Sequence, residues 1–204
     1  MIAEPMTAFT DLLLFVLSLT FGIRLRGGTT LGRKLWSAAF IASSVGSLAG
    51  GLYHAFQLDL SPPLLVILWK FTAFAVGAAG LLLFCGTIYA LVKQRTARAL
   101  TIAATVLFVT YLAWMATHDE FIYIIAFYGG LMVATLVVCI ARYRIAPRAC
   151  GLIISGIAIA AFAAAAQASH IDPFKHFNHN DLYHVIQMIS LYVMYRGAGF
   201  IQAH

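Results

Sequence analysis

Apolar segments long enough to cross a lipid bilayer recur along the whole chain, and they constrain its fold more than any other feature. Seven are predicted, at residues 7–24, 35–57, 62–92, 98–117, 121–142, 148–169 and 181–203. They lack the alternation of a membrane β-barrel, so each is predicted to be a helix. Only 10% of the residues are charged, far below the share in soluble domains. The sequence therefore predicts an all-α polytopic membrane protein with one seven-helix domain, residues 1–204.

The basic residues predict how these helices are oriented in a membrane. Most of them fall in clusters at or near the ends of predicted helices that would share one side: Arg24, Arg26, Arg33, Lys34, Lys93, Arg95, Arg98, Arg142, Arg144, Arg148 and Arg196. The positive-inside rule assigns that side to the cytoplasm. We therefore expect an external N-terminus, a cytoplasmic C-terminus and a bacterial inner membrane location, with a first helix that is retained rather than cleaved.

The net charge of +6 is expected to reflect contact with anionic membrane lipids. No basic face is interleaved with exposed aromatic residues, so nucleic-acid binding is not predicted. The three cysteines, Cys85, Cys139 and Cys150, show no metal-ligand spacing and are expected to be reduced.

Acidic residues and histidines gather at the opposite, outer ends of the predicted helices. The set contains Glu4, Asp11, Asp59, Asp119, Glu120, Asp172 and Asp181, together with His54, His118, His170, His176, His179 and His184. Residues in the loops are expected to be solvated surface. Ionisable groups inside helices are costly in a membrane and usually face a cavity or a partner. The outer half is therefore where binding or chemistry is expected.

The segment HFNHNDLYHVIQM, residues 176–188, is the densest polar stretch. Asp181 or Asn180 can cap the last helix. Either Asp181 (three residues before His184) or Asn180 (four before) can converge with the imidazole of His184. His54 ends the second helix at a similar depth, so His54 and His184 could share a ligand if their helices are neighbours.

Two further helices contribute candidate residues. Ser43, Ser47, Gly50 and His54 follow one another at spacings of four, three and four, which places them on one face of the second helix. Lys70 lies about two turns inside the third helix, on the order of 12 Å along its axis. A buried ammonium needs a partner, and Asp11 or Asp181 is the expected one.

These residue types suit a catalytic zinc ion, which is bound by imidazoles and carboxylates and keeps one position for water. His54 and His184 are the predicted ligands, with His179 or Asp181 as the third. Lys70 would neutralise an oxyanion or a lipid phosphate, and Lys70, Asp181 and Ser47 are the predicted catalytic residues.

A Ser-rich second helix that ends in His54, and a histidine motif that opens the seventh helix, resemble the superfamily of alkaline ceramidases and adiponectin receptors. The resemblance implies a seven-helix membrane hydrolase whose zinc is held by one histidine of the second helix and two of the seventh. His54 and His184 match two of these ligands. Gly50 and Asn180 stand where that superfamily has the serine of the second-helix motif and the first histidine of the seventh-helix motif. The segments GGLYHAF and NHNDLYH look closer to a family of uncharacterised bacterial seven-helix membrane proteins.

Three functions remain open from the sequence. The first is a zinc-dependent hydrolase that cleaves an amide or ester bond of a membrane lipid at the outer leaflet. The second is a non-enzymatic binding or transport protein in which Lys70, Asp11 and Asp181 form a buried ion-pair network around an anionic or protonatable ligand. The third is an electron-transfer protein with haem between His54 and His184.

Overall fold

The computed structural model describes residues 2–175 and 177–201. They form seven α-helices: α1 (Pro5–Leu25), α2 (Leu31–Phe56), α3 (Pro62–Leu91), α4 (Gln94–Thr117), α5 (Phe121–Ala141), α6 (Pro147–Ala168) and α7 (His179–Gly199). The described ranges contain no β-strand, only an isolated bridge between Phe174 and Phe177. The predicted all-α class is confirmed for these residues.

Local sequence signals set where several helices begin. Proline occupies the first turn of α1, α3 and α6, where a missing N–H removes no helical hydrogen bond. Thr30 caps α2 by accepting a hydrogen bond from the Arg33 N–H at 3.2 Å. Six helices, α1 to α6, are long and apolar enough to cross a membrane. α7 is 21 residues long, but its first half contains His179, Asn180, Asp181, His184 and Gln187.

Six of the helices form a closed ring. Each helix in the order α1, α2, α3, α5, α6, α7 contacts the next, and α7 contacts α1. α4 is outside the ring and packs mainly on α3, with a smaller contact to α5. Ring closure makes α1 and α7 neighbours although they lie at opposite ends of the sequence.

The acidic residues share one end of this bundle, called the acidic end below. There α1 begins beside the end of α2, since the N–H of Glu4 donates to the carbonyl of His54 at 3.2 Å. A hydrogen bond joins the end of α6 to the start of α7, since Gln167 Nε2 donates to Asn180 Oδ1 at 3.0 Å. The predicted basic clusters fall on the loops at the other end of the helices, the basic end.

The contact between α1 and α7, called the α1–α7 seam below, changes character along its length. In the acidic half the buried residues of the two helices are mostly polar: Thr7, Thr10 and Asp11 on α1, and Asp181, His184 and Gln187 on α7, with Leu14 of α1 as the apolar member. In the basic half the packing is aromatic. Phe21 stacks on Tyr195 with ring centroids 4.5 Å apart and meets Phe40 of α2 edge-on at 5.7 Å.

The basic half also contains a close contact between α2 and α3. Trp36 is fully buried, and α2 and α3 approach closely beside it through Gly32 and Gly86. A Cβ atom on Gly86 would lie 2.6 Å from the Trp36 ring and 2.9 Å from the Gly32 carbonyl oxygen, so only glycine fits. The three cysteines are buried and free, and their reduced state stays a prediction.

Candidate ligand-binding site at the acidic end

The centre of the candidate site is a buried group of polar side chains on α1 and α7. His184 accepts or donates a hydrogen bond at Nδ1 with the Thr10 hydroxyl, 2.8 Å away, and its Nε2 lies 3.5 Å from Asp11 Oδ1. Asp11 and Asp181 are 6% and 1% exposed, and Asp181 lies on α7 three residues before His184. This group of Thr10, Asp11, Asp181 and His184 is called the acid–imidazole cluster below.

Glycine allows Asp11 to sit at the contact between α1 and α2. A Cβ on Gly50 would be 3.4 Å from Asp11 Oδ2, and one on Gly51 would be 3.1 Å from Asp11 Cβ. The small-residue face predicted on α2 therefore does bring a neighbouring helix close. The neighbouring helix is α1, and the group at the contact is the Asp11 carboxylate.

Asp181 is held by the first turn of α7. The Asn178 side chain caps the helix by accepting from the N–H groups of Asn180 at 2.8 Å and Asp181 at 3.1 Å. In return, Asp181 Oδ2 accepts from the Asn178 N–H at 2.8 Å, which completes a capping box. The expectation that Asp181 or Asn180 is the cap was wrong, because the helix begins two residues earlier than predicted.

The other oxygen of Asp181 is not paired. Among the residues that the structure describes, Oδ1 has no hydrogen-bond partner although it is buried. A buried acceptor without a donor costs free energy, so such an atom in a native protein needs an explanation.

A cavity of about 650 Å³ opens at this place. It lies between the start of α1, the loop from α6 to α7 and the first turn of α7, and Asp181 forms part of its lining. Asp181 and Thr7, each 1% exposed, are the most deeply buried residues of that lining. The residue with the unpaired carboxylate oxygen is thus one of the two most buried residues that line this open cavity.

Lys70 lies in a different part of the acidic end. Its Nζ donates to the carbonyl oxygens of Met115 and His118, the latter at 2.8 Å, and pairs with Asp119 Oδ1 at 2.6 Å. The prediction that Lys70 pairs with Asp11 or Asp181 is therefore wrong. The ammonium instead caps the last turn of α4, where the unpaired carbonyls and the helix dipole favour a cation.

The three predicted zinc ligands have separate partners. His54 Nδ1 is 2.8 Å from Glu4 Oε2, while His179 Nδ1 is 2.8 Å from Asp172 Oδ1 and His184 belongs to the acid–imidazole cluster. Over residues 2–175 and 177–201, no three His, Cys, Asp or Glu side chains are placed to hold a metal ion. The described residues do not fit a zinc ion, and zinc binding stays a prediction.

The remaining sequence candidates are peripheral. Ser47 is half-buried on α2, and no described hydrogen bond joins it to His54, Lys70 or Asp181. His176 lies outside the described residues. Asp172 is in the loop before α7, where hydrogen bonds from the ring and then the backbone N–H of His179 hold its pKa below the ordinary value of 3.8.

Comparison with known proteins places the chain in a family without assigning it an activity. Residues 6–202 match the model described as Family of unknown function (DUF6962). The chain belongs to this family. The DUF6962 match includes the whole acid–imidazole cluster, Lys70, His54 and the α6–α7 loop. No curated protein matches the chain, so the ceramidase-like resemblance stays a prediction.

Sequence reasoning missed the role of Thr10 and assigned Asp11 to the wrong partner. A signal was present in α1, where Thr7, Thr10, Asp11 and Ser18 recur at helical spacing in an apolar segment. That stripe predicts a polar face on α1. Its partner on α7 could not be read from the sequence, because helix neighbours depend on ring closure.

Proposed function

We propose that this chain is a non-enzymatic membrane protein that binds or transports a cation, which enters at the acidic end and is held by the acid–imidazole cluster. The observation that carries the proposal is the pair of buried carboxylates, Asp11 and Asp181, beside the single imidazole of His184. Ionisable groups inside membrane helices are expensive and mark ion or substrate pathways.

The charge balance of the cluster favours a cationic ligand. The cluster has two carboxylates and one imidazole, and Lys70, in a different part of the acidic end, is already bonded to Asp119 and to the end of α4. Positive charge supplied from outside the protein would relieve the repulsion between Asp11 and Asp181. We therefore expect this cluster to bind a cation.

The orientation forms part of the same proposal. The basic clusters lie at the end opposite the cluster, so the positive-inside rule directs the cavity to the periplasm or exterior of a bacterial inner membrane. α7 would be the seventh span, with its polar face covered by α1 and α6. The surrounding partners would be membrane lipids.

Hydrolysis of a lipid amide or ester by zinc is favoured by the resemblance alone. Elemental analysis of purified wild-type protein and of His184→Ala tests it. If the wild type contained stoichiometric zinc and the variant did not, the cation-binding proposal would be rejected in favour of the zinc hydrolase. A haem between His54 and His184 would give a Soret band in the same sample.

Cation binding is tested by the thermal unfolding of the purified full-length protein in detergent. Sodium, potassium, calcium, ammonium and phenethylammonium chlorides are compared at constant ionic strength. We expect at least one of them to raise the Tm, on the order of 5 °C at about 100 times its Kd. Asp11→Asn and Asp181→Asn should abolish the rise, and Asp119→Asn, a carboxylate at the same end, should keep it. No stabilising cation, or equal stabilisation of all variants, would refute the proposal.

A further inference from the structure

We infer that the ligand is a primary or secondary ammonium attached to an apolar body, with its N–H groups on Asp181 and its body against the aromatic wall of the 650 Å³ cavity. This inference rests on the proposed function and narrows it to one class of cation. The cavity volume lies within the range of small-molecule sites.

The hydrogen-bonding requirement comes from Asp181 Oδ1. This oxygen is buried and unpaired among the described residues, whereas Oδ2 is already used by the capping box. A buried carboxylate oxygen is satisfied by an N–H or O–H donor, and most strongly by a charged one. A quaternary ammonium or an alkali ion would supply charge without such a donor.

The apolar requirement comes from the cavity wall. Met6 and Phe9 of α1 and Phe174 and Phe177 of the α6–α7 loop line it. Phe174 and Phe177 are fixed by two reciprocal backbone hydrogen bonds of 3.3 and 3.1 Å, and their ring centroids lie 6.3 Å apart. Aromatic faces attract a cation and also bury an apolar group.

The charged residues of the lining favour the same class. Glu4, Asp172 and Asp181 contribute three carboxylates against the single ammonium of the exposed Lys175. Glu4 is bonded to His54 and Gln57, and Asp172 to His179. Both bonds from His179 fall on Oδ1 of Asp172, which is exposed to solvent. Among the described residues of the lining, Asp181 is therefore the buried carboxylate with an oxygen left for a ligand.

Three matched probes separate these requirements in calorimetric titrations of the full-length protein in detergent. Phenethylammonium has charge, N–H donors and an apolar body. Its N-trimethyl analogue keeps the charge but has no N–H, and 2-phenylethanol keeps a donor but has no charge. We expect phenethylammonium to bind at least about tenfold more tightly than either analogue, the cost of one unmade charged hydrogen bond.

Two variants locate the binding. Asp181→Asn should remove the preference for phenethylammonium over 2-phenylethanol. Phe177→Ala should weaken phenethylammonium more than methylammonium, which has no apolar body. The control Phe162→Ala changes an exposed phenylalanine of α6 that is not part of the cavity lining, and it should leave both affinities unchanged.

The outcomes distinguish this inference from the proposed function. If only inorganic cations bind, or if the N-trimethyl analogue or the alcohol binds as tightly as phenethylammonium, the ligand class is wrong and cation binding stands. If no cation binds at all, both proposals fail. Unchanged phenethylammonium binding in Asp181→Asn would also overturn the inference.

Discussion

Two ionisable clusters lie at the same end of the bundle, and they differ in how completely their polar atoms are paired. The Lys70 ammonium has three oxygen partners, two carbonyls at the end of α4 and the Asp119 carboxylate. The acid–imidazole cluster has two buried carboxylates, and Asp181 keeps an unpaired oxygen within the described structure.

Under the proposed function, this difference separates a charged group that stabilises the fold from one that binds a ligand. A charged group whose hydrogen-bond partners all belong to the protein has no acceptor or donor left for a ligand, so its interactions serve the fold. A group with a remaining acceptor and a cavity beside it gains stability when a donor arrives. Both clusters look alike in the sequence as intrahelical charges, and only the pairing tells them apart.

The largest effect is expected at Lys70. Lys70→Met keeps the apolar part of the side chain but leaves two carbonyls and Asp119 without their cation, so unfolding should become easier by about 2–3 kcal/mol. Chemical denaturation in detergent measures it. Lys175→Met, an exposed lysine at the same end, should change stability by less than about 0.5 kcal/mol. Equal effects of the two changes would mean that the Lys70 cluster is not structural.

The next largest effect is a gain in stability, and we expect it for Asp181→Asn. Asp181→Asn can still accept from the Asn178 N–H but removes a buried charge that is repelled by Asp11, so the ligand-free protein should gain on the order of 1 kcal/mol. Asn178→Ala, which removes the cap itself, should lose about 1 kcal/mol. A large loss of stability in Asp181→Asn would erase the contrast between the two clusters.

A smaller effect is expected where the acid–imidazole cluster is already paired. Thr10→Val preserves the shape of the side chain and removes its hydrogen bond to His184 Nδ1, so stability should fall by about 1 kcal/mol. Thr110→Val is the matched control, because its hydroxyl bonds only to the carbonyl of Val106 one turn earlier in an exposed part of α4. A loss in the control as large as in Thr10→Val would show that the His184 contact is not specific.

The smallest effect concerns the loop that borders the cavity. Because folding lowers the pKa of Asp172 below 3.8, its contribution is complete above that pH and is lost as pH falls through the folded pKa. The measurement is the protection factor of the His179 amide, which is the intrinsic exchange rate at each pH divided by the observed rate. This protection should fall below about pH 4. In Asp172→Asn the protection factor should not change over this range. A pH-independent protection factor in the wild type would contradict the assignment.

The helices themselves were predictable because the signals that define them are local. The third helix was predicted at 62–92 and observed as Pro62–Leu91, since a proline pair opens it and an apolar run sustains it. α7 begins at His179, two residues before the predicted start at residue 181, because Asn178 and not Asp181 is the N-cap residue. Such boundaries depend on a few neighbouring residues.

The pairing of the site residues was not predictable in the same way. The sequence gives the depth of Lys70, and Asp11, Asp119 and Asp181 all lie near that depth. The carboxylate that pairs with Lys70 is decided by how the helices are arranged around the ring. Because α4 lies outside the ring beside α3, Lys70 of α3 pairs with Asp119, just after the end of α4. His54 likewise meets Glu4 because the chain folds back at its first residues.

The division of the α1–α7 seam has an electrical consequence. A hydrated cavity at the acidic end would hold the polar half near the potential of that compartment, so most of the membrane voltage would drop across the Phe21, Phe40 and Tyr195 packing. Moving a unit charge through the full field takes about 2.3 kcal/mol per 100 mV. Binding from the acidic side should then be almost insensitive to voltage, whereas passage beyond Phe21 should depend on it steeply.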